Sequence, residues 1–452
     1  MAKAKKTPDS PRLPDRPVDQ LLVPVRRFLH VESASGVLLV ICTVIALILA
    51  NSAWASAFYA IWKTPVSLTF GSFVLEGDLG HLVINDGLMT IFFFVVGLEV
   101  KREIVAGELN DPRKALLPVV GALGGTVAPA LIFLLQQWGE PGQRGWAIPM
   151  ATDIAFVVGV LAMFGQRVPF GLKIFLLTLA IVDDLVAVLI IALVFNKAIA
   201  WGWLLVAVAG FIITMLFNRI GVRAVPVYVV VGAFIWLGFL KAGIHPTVAG
   251  VMLGLLTPST AWIGRATFFD VFTAKWNQLR GADKQASEPL PVDVEKLQLL
   301  ARESVSPLHR LEMGLHPWVA FGIMPIFALA NAGVKLDLSS LSHPVSIAVA
   351  SGLFIGKPLG ILSFCAVAVW LGLTRLPEGV TWRMLTAGAC LAGIGFTMAL
   401  FLNSLAFGSD ESFRSMELAG KIGTLSGSLM SVILGSVLLL LSLRPKPTAP
   451  TT

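Results

Sequence analysis

Twelve apolar stretches, most of them long enough to cross a lipid bilayer, recur from one end of this chain to the other and restrict what it can fold into. They cover 34–53, 81–100, 115–137, 147–165, 171–196, 200–217, 224–241, 244–258, 317–335, 345–372, 382–407 and 416–443, the eighth being the shortest. A hydrocarbon core of about 30 Å takes about 20 helical residues to cross. Backbone N–H and C=O groups find no water there, so only helices or closed barrels can span it. Continuous apolar runs, rather than ten-residue alternations, select helices. The expected fold is therefore an all-α integral membrane protein of about 12 transmembrane helices. Charge agrees with this, since only 13% of the 452 residues are charged, against roughly a quarter in soluble domains.

Placing Lys and Arg on alternating sides of the spans puts 26 on the side of the N terminus and 7 on the other, with Lys357 inside a span. Cytoplasmic loops carry such an excess, so both termini are expected in the cytoplasm. The same asymmetry accounts for the net charge of +7 without nucleic acid as a partner. Residues 1–33, with Lys3, Lys5, Lys6, Arg12, Arg16, Arg26 and Arg27, lack the apolar core and small-residue cleavage site of a signal peptide and read as a cytoplasmic tail. Residues 34–443 read as a single transmembrane domain, and 444–452 as a second tail. Cys42, Cys365 and Cys390 fall inside spans as reduced packing residues, and no cofactor is implied.

Two connections are long. The stretch 259–316, mixed in charge from Asp283 to Arg310, is expected to be cytoplasmic and partly helical. In 63–80, KTPVSLTF and FVLEG flank a Gly-Ser turn and predict a two-stranded hairpin on the periplasmic side. An isolated hairpin is marginal in water. It either pairs with its copy in a second protomer or is an ordinary surface hairpin.

An ionisable group near the bilayer centre costs at least about 2.5–3.5 kcal/mol, so each needs a partner, a water cavity or a function. The chain has few: Asp86, Asp153, Asp183, Asp184 and Lys357. Asp183 and Asp184 stand side by side in LLTLAIVDDLVAVLIIAL, where adjacent helical positions diverge by about 100°. One is expected to face an ion pathway and the other its wall. A carboxylate there can hold a proton or a hard cation such as Na⁺ or Li⁺, and competition for one site couples the two.

Thr152 and Asp153 follow Pro149, which predicts a broken helix. Gly393 and Gly395, just before Thr397, allow the same in the eleventh span. The triplets of spans in 115–196 and 345–443 thus each centre on an interrupted helix, the pattern that marks transporter binding sites. Broken ends expose partial charges that Asp153 and Lys357 could offset. Alternatively, Asp153 is a direct ion ligand, and Lys357 pairs with Asp183 and gives up its proton when the ion arrives.

The segments INDGLMTIFFFVVGLEVKRE, ATDIAFVVG, LAIVDDL, GIHPTVAGV, LHPWVAF, FALANAGV, GKPLG and GIGFTMALF occur in this order. With them the chain resembles, over almost its full length, the NhaA family of Na⁺/H⁺ antiporters, itself an example of inverted repeats. The resemblance implies crossed discontinuous helices at spans 4 and 11, a homodimer held partly by hairpin 63–80, and a place in the bacterial inner membrane. It implies Asp184 as principal cation and proton carboxylate with Asp183 as its partner, so that Na⁺ sits at these two. Thr152 lies beside them as ligand or gate, and Asp153 and Lys357 at the crossed helix ends. It further implies pH regulation through Glu99, Arg102, Glu103, Glu312 and His316. Asp86, His245 and Thr397 also match, with structural roles equally open. Met313 stands where some relatives have histidine, and the loop before it is longer.

The activity expected is electrogenic, pH-regulated exchange of Na⁺ and Li⁺ for protons by alternating access, with membrane lipid as the surroundings. Two rivals are a Na⁺-coupled solute symporter on a related scaffold and an intramembrane aspartyl protease, whose GxGD sequence is missing here.

Overall fold

The computed structural model describes residues 32–71, 73–195, 198–222, 224–281, 291–336, 338–408 and 411–443. The tails 1–31 and 444–452, and the tip 282–290 of the long connection, lie outside the described residues. The chain forms α1 (Glu32–Ala50), α2 (Ala55–Trp62), β1 (Pro65–Phe70), β2 (Phe73–Asp78), α3 (Leu79–Ala106) and α4 (Pro112–Gln136). A 3-10 segment, Pro141–Met150, precedes α5 (Ile154–Met163), α6 (Phe170–Val194), α7 (Trp201–Ile220), α8 (Val225–Ala242) and α9 (Thr247–Leu256). Then come α10 (Arg265–Gly281), α11 (Pro291–Glu303), α12 (Pro307–Asn331), α13 (Pro344–Trp370), α14 (Trp382–Ala392), α15 (Phe396–Phe407) and α16 (Arg414–Ser442).

Each of the twelve apolar stretches is helical, in three different ways. Among the described residues eight helices are long and apolar enough to cross a membrane, and three bent pairs raise the number of spans to as many as 11. The eighth stretch is the ten-residue α9, about 15 Å of helix and half a bilayer core. The ninth begins at Pro307, ten residues before the apolar run at 317. Its first turns, LHRLEMGLHPW, carry charges that hydropathy scores as loop, but Pro307 at the helix start and the Ser306 hydroxyl accepting from His309 N–H nucleate it there.

α6 lies at the centre, 67% buried over its most apolar window, whereas α7 and α8 are 22% buried and form the rim. Phe93, Phe133, Phe175, Phe327, Phe401 and Phe407 fill the interior. Leu135, Leu193, Ile212 and Trp370 are exposed, as lipid-facing residues are. Lipid tails are as apolar as leucine, so helices here are held by close packing. Gly97 on α3 lies against Val251 and Gly254 on α9, and Gly124 on α4 against Gly360 on α13, where a Cβ would strike the facing carbonyl.

The hairpin forms at 65–78, with Pro65 opposite Asp78 and Leu68 opposite Leu75. Gly71 supplies the positive φ of its turn. Lys241 Nζ donates to Val74 O (2.8 Å), tying the hairpin to the end of α8. It adjoins the start of α3, at the opposite end of that helix from Arg102 and Glu103.

Candidate functional site

Two helix breaks meet beside α6. The first is Ala151–Asp153, extended backbone between the 3-10 segment and α5, which bend by 43°. Pro149 cannot donate to the preceding turn, and the chain leaves the helix directly after it. The second is Gly393–Gly395, between α14 and α15, which bend by 42°. A Cβ at Gly393 would fall 2.5 Å from Leu353 O, so glycine lets the break seat against α13.

Asp153 joins the two. Its N–H donates to Ile394 O (2.7 Å), Oδ1 accepts from Phe156 N–H (3.0 Å) and Oδ2 from Thr397 N–H (3.1 Å), and the Thr397 hydroxyl also donates to Oδ2. One buried carboxylate thus caps the N termini of both α5 and α15, where orphan N–H groups and the helix dipole favour negative charge. The complementary end belongs to Lys357. This lysine is fully buried; its ammonium donates to Met150 O at the C-terminal end of the 3-10 segment and lies 2.9 Å from Asp183 Oδ2. The Lys357 ammonium thus touches a helix end and Asp183 at the same time.

The Thr152 hydroxyl is 2.7 Å from Asp183 Oδ2 and 3.0 Å from Ala392 O. It has one proton and donates to one acceptor at a time, so Asp183 and the second break compete for it. Asp184, on the next position of α6, turns from this network and lies within electrostatic reach of Asp183, Glu99, Asp153 and Lys357. Asp183 Oδ1 and Asp184 Oδ1 are both buried with no hydrogen-bond partner among the described residues. Bare carboxylate oxygens in a water-poor interior are costly unless something binds them.

Toward the far end of α3, Arg102 pairs with Glu312 on α12 and with Glu103 at 3.1 Å. Glu103 Oε2 also accepts from Glu108 N–H (3.0 Å). Glu99 is half-buried and lies within electrostatic reach of Arg102, Glu312 and Glu103. His316 is exposed, and the histidine that approaches Glu312 is His309, at 4.0 Å. A cavity of about 340 Å³ opens here, lined by Glu103, Glu108, Asp111, Lys114 and Thr178. Thr178 is six residues before Asp184 on α6, about 9 Å along the axis.

Buried Asp86 faces half-buried His245, with Oδ1 3.4 Å from Nε2. His245 Nδ1 is 2.7 Å from the Thr247 hydroxyl, and its ring meets Phe401 edge-on at 5.5 Å. Sequence reasoning passed over three participants. Ser428 on α16 accepts from Phe396 N–H (3.2 Å), and Asn331 Nδ2 donates to Asn85 Oδ1 (3.0 Å). The asparagines carried a signal, as polar groups within apolar spans. Ser428 carried none, because a helical serine ordinarily bonds its own backbone.

Eight to eleven apolar spans packed around two facing helix breaks and a buried set of three aspartates and one lysine define a multi-pass helical membrane protein with a charged centre. The sequence matches the family described as Na⁺/H⁺ antiporter 1 over residues 26–439, and the chain belongs to that family. It is 48% identical over 436 residues to the Na(+)/H(+) antiporter NhaA of Rhodopirellula baltica, covering 96% of this chain and 98% of that protein. It is 47% identical over 425 residues to the Na(+)/H(+) antiporter NhaA 2 of Sorangium cellulosum, covering 92% and 90%. A solved structure of the sodium proton antiporter MjNhaP1 from Methanocaldococcus jannaschii aligns with a TM-score of 0.43 and 16% identity, over 94% of this chain and 100% of that one.

Proposed function

We propose that this chain exports Na⁺, and Li⁺ by the same chemistry, in exchange for protons across a bacterial inner membrane, with both termini in the cytoplasm. The observation that carries the reading is the pair Asp183 and Asp184, adjacent and buried, each with one oxygen that no hydrogen bond claims among the described residues. Such oxygens suit a proton or a small hard cation, and one site cannot hold both. The names of the curated relatives support the same exchange.

In this cycle Na⁺ approaches from the cavity at Glu103 and Thr178, binds Asp184 and Asp183, and expels the proton held on Asp184, while Lys357, parted from its carboxylate, releases a proton of its own. Lys357 gives up its contact with Asp183 Oδ2 as the ion takes that oxygen, and Thr152 can shift its hydrogen bond to Ala392 O. On this reading the two breaks belong to crossed discontinuous helices of inverted repeats, within one domain over 34–443. The bundles rock about them, Na⁺ leaves on the other side, and external protons reload the carboxylates. Two protonatable groups discharge for each ion, so the exchange moves net charge. We assign pH regulation to Glu99, Arg102, Glu103, Glu312 and the histidines beside them. Their ion pairs join α3 to α12, and Glu99 is within reach of both this cluster and Asp184.

Adding Na⁺ to energised everted vesicles is expected to dequench a pH-sensitive dye, with a rate that responds to an imposed membrane potential. Uptake of a labelled solute with Na⁺, and no proton movement against it, would instead identify a symporter.

The hairpin supports a homodimer, since Leu68 and Val74 are exposed on a two-stranded sheet too small to be stable by itself. Replacing 65–78 by a short Gly-Ser linker is expected to convert the detergent-solubilised protein from dimer to monomer in light scattering, with exchange retained. An unchanged mass would place the interface elsewhere.

A further inference from the structure

The helix α10 lies in the long connection and presents a face that the antiport reading does not use. It starts nine residues after α9 ends, and the segment that leads into it is bonded to the end of α11 and the start of α12. Leu308 N–H at the start of α12 donates to Pro258 O (3.1 Å), and Ile263 N–H to Glu303 O (3.1 Å). At 100° per residue, Val271, Phe268, Phe272, Trp276 and Phe269 fall within roughly 160° of the helix circumference. Phe269, Val271, Phe272 and Trp276 are 52%, 41%, 40% and 54% exposed. Phe268, Phe272 and Trp276 stack in series along the helix, at 5.8 and 6.4 Å.

Two cations stand on this same face, Arg265 with its guanidinium 5.9 Å from the Phe269 ring, and Lys275 between Phe268 and Val271 in angle. Asp270, Thr273 and Asn277 occupy the opposite side. The helix follows membrane helix α9 and its leading segment is bonded to the start of α12, so the large surface nearest to it is the lipid headgroup layer, where aromatic rings sit at the boundary of water and acyl chains while long basic side chains reach up to phosphate.

We propose that α10 lies flat on the bilayer, on the side where Arg102 and Glu312 are found, with Phe268, Phe272 and Trp276 in the interfacial layer and Arg265 and Lys275 on the phosphates of anionic lipid. This rests on the chain's being a membrane protein and is independent of which ion it carries. A helix held at the surface anchors the start of α12, and hence Glu312, to the lipid.

The test uses the full chain, with Cys42, Cys365 and Cys390 replaced by alanine, in vesicles of phosphatidylcholine with phosphatidylglycerol. Spin labels are placed singly at Phe272→Cys, Trp276→Cys, Thr273→Cys and Asn277→Cys. The expected result is that labels at 272 and 276 relax several-fold more with oxygen than with a water-soluble nickel chelate, and that 273 and 277 show the reverse. Nickel reaching all four positions equally overturns the proposal by placing α10 in water. Occlusion of 272 and 276 from both reagents overturns it in favour of a protein covering the face. A pattern unchanged when the anionic lipid is left out removes the role given to Arg265 and Lys275.

Discussion

Asp184→Asn is expected to abolish Na⁺-induced proton movement in everted vesicles while leaving the protein folded. The amide keeps the side chain's volume but cannot release a proton or offer a full negative charge to a cation. Both halves of the exchange therefore fail together, by roughly 100-fold or more, which corresponds to about 2.7 kcal/mol. Folding should survive because Asp184 Oδ1 makes no hydrogen bond whose loss would be felt, and removing a buried charge relieves desolvation.

Asp183→Asn is a control of a different kind. It also removes an ion ligand, but it leaves the fully buried Lys357 ammonium without its carboxylate. Breaking one side of a buried pair costs about 3–5 kcal/mol, so this variant should lose thermal stability as well as exchange. Exchange at the parental rate in Asp184→Asn, with the variant confirmed in the membrane, would remove that carboxylate from the transport site and undo the proposed function.

The contrast between these two aspartates also marks how far the sequence could be read. Two charges at adjacent positions of an apolar helix announce a site and must diverge, but one-dimensional order left open whether Lys357 meets a helix end or Asp183. That is decided by how α13 packs on α4, which brings the lysine to both. The breaks were legible for a local reason, proline after a short apolar run and glycines in another. Their meeting was not, because Asp153 and Thr397 are separated by 244 positions. Hydropathy located the spans but missed the start of α12, whose early turns are charged.

The π-helical segments Leu79–Leu88, Val319–Ile323 and Gly352–Gly356 had no signal at all. Wide turns of this kind cluster at functional positions, and the third ends immediately before Lys357. The extra residue per turn changes the angular position of everything after it, so a periodicity count through Gly352–Gly356 would misplace the lysine around its helix.

Gly360→Val is expected to prevent a stable fold. α4 and α13 pack backbone to backbone at Gly124 and Gly360, and a Cβ built on Gly360 falls 2.0 Å from Gly124 O. One built on Gly124 falls 2.2 Å from Gly360 O. Overpacking in a core costs about 1–3 kcal/mol when side chains can rotate away. Here the obstacle is a carbonyl within a helix, so the two helices must separate as rigid rods and the cost exceeds that range.

Lipid offers no compensating burial, since the pair is held by the closeness that glycine permits. Separation also displaces Lys357, one turn before Gly360, from Met150 and Asp183, so packing and ion site fail together. The measurement is thermal aggregation of the detergent-solubilised protein followed by fluorescence-detected size exclusion, with Gly202→Val as the comparison. Gly202 is also helical but has nothing within 4 Å of its Cβ position, which limits its cost to propensity. A Gly360→Val protein as monodisperse and heat-resistant as Gly202→Val would mean that α4 and α13 are not in direct backbone contact.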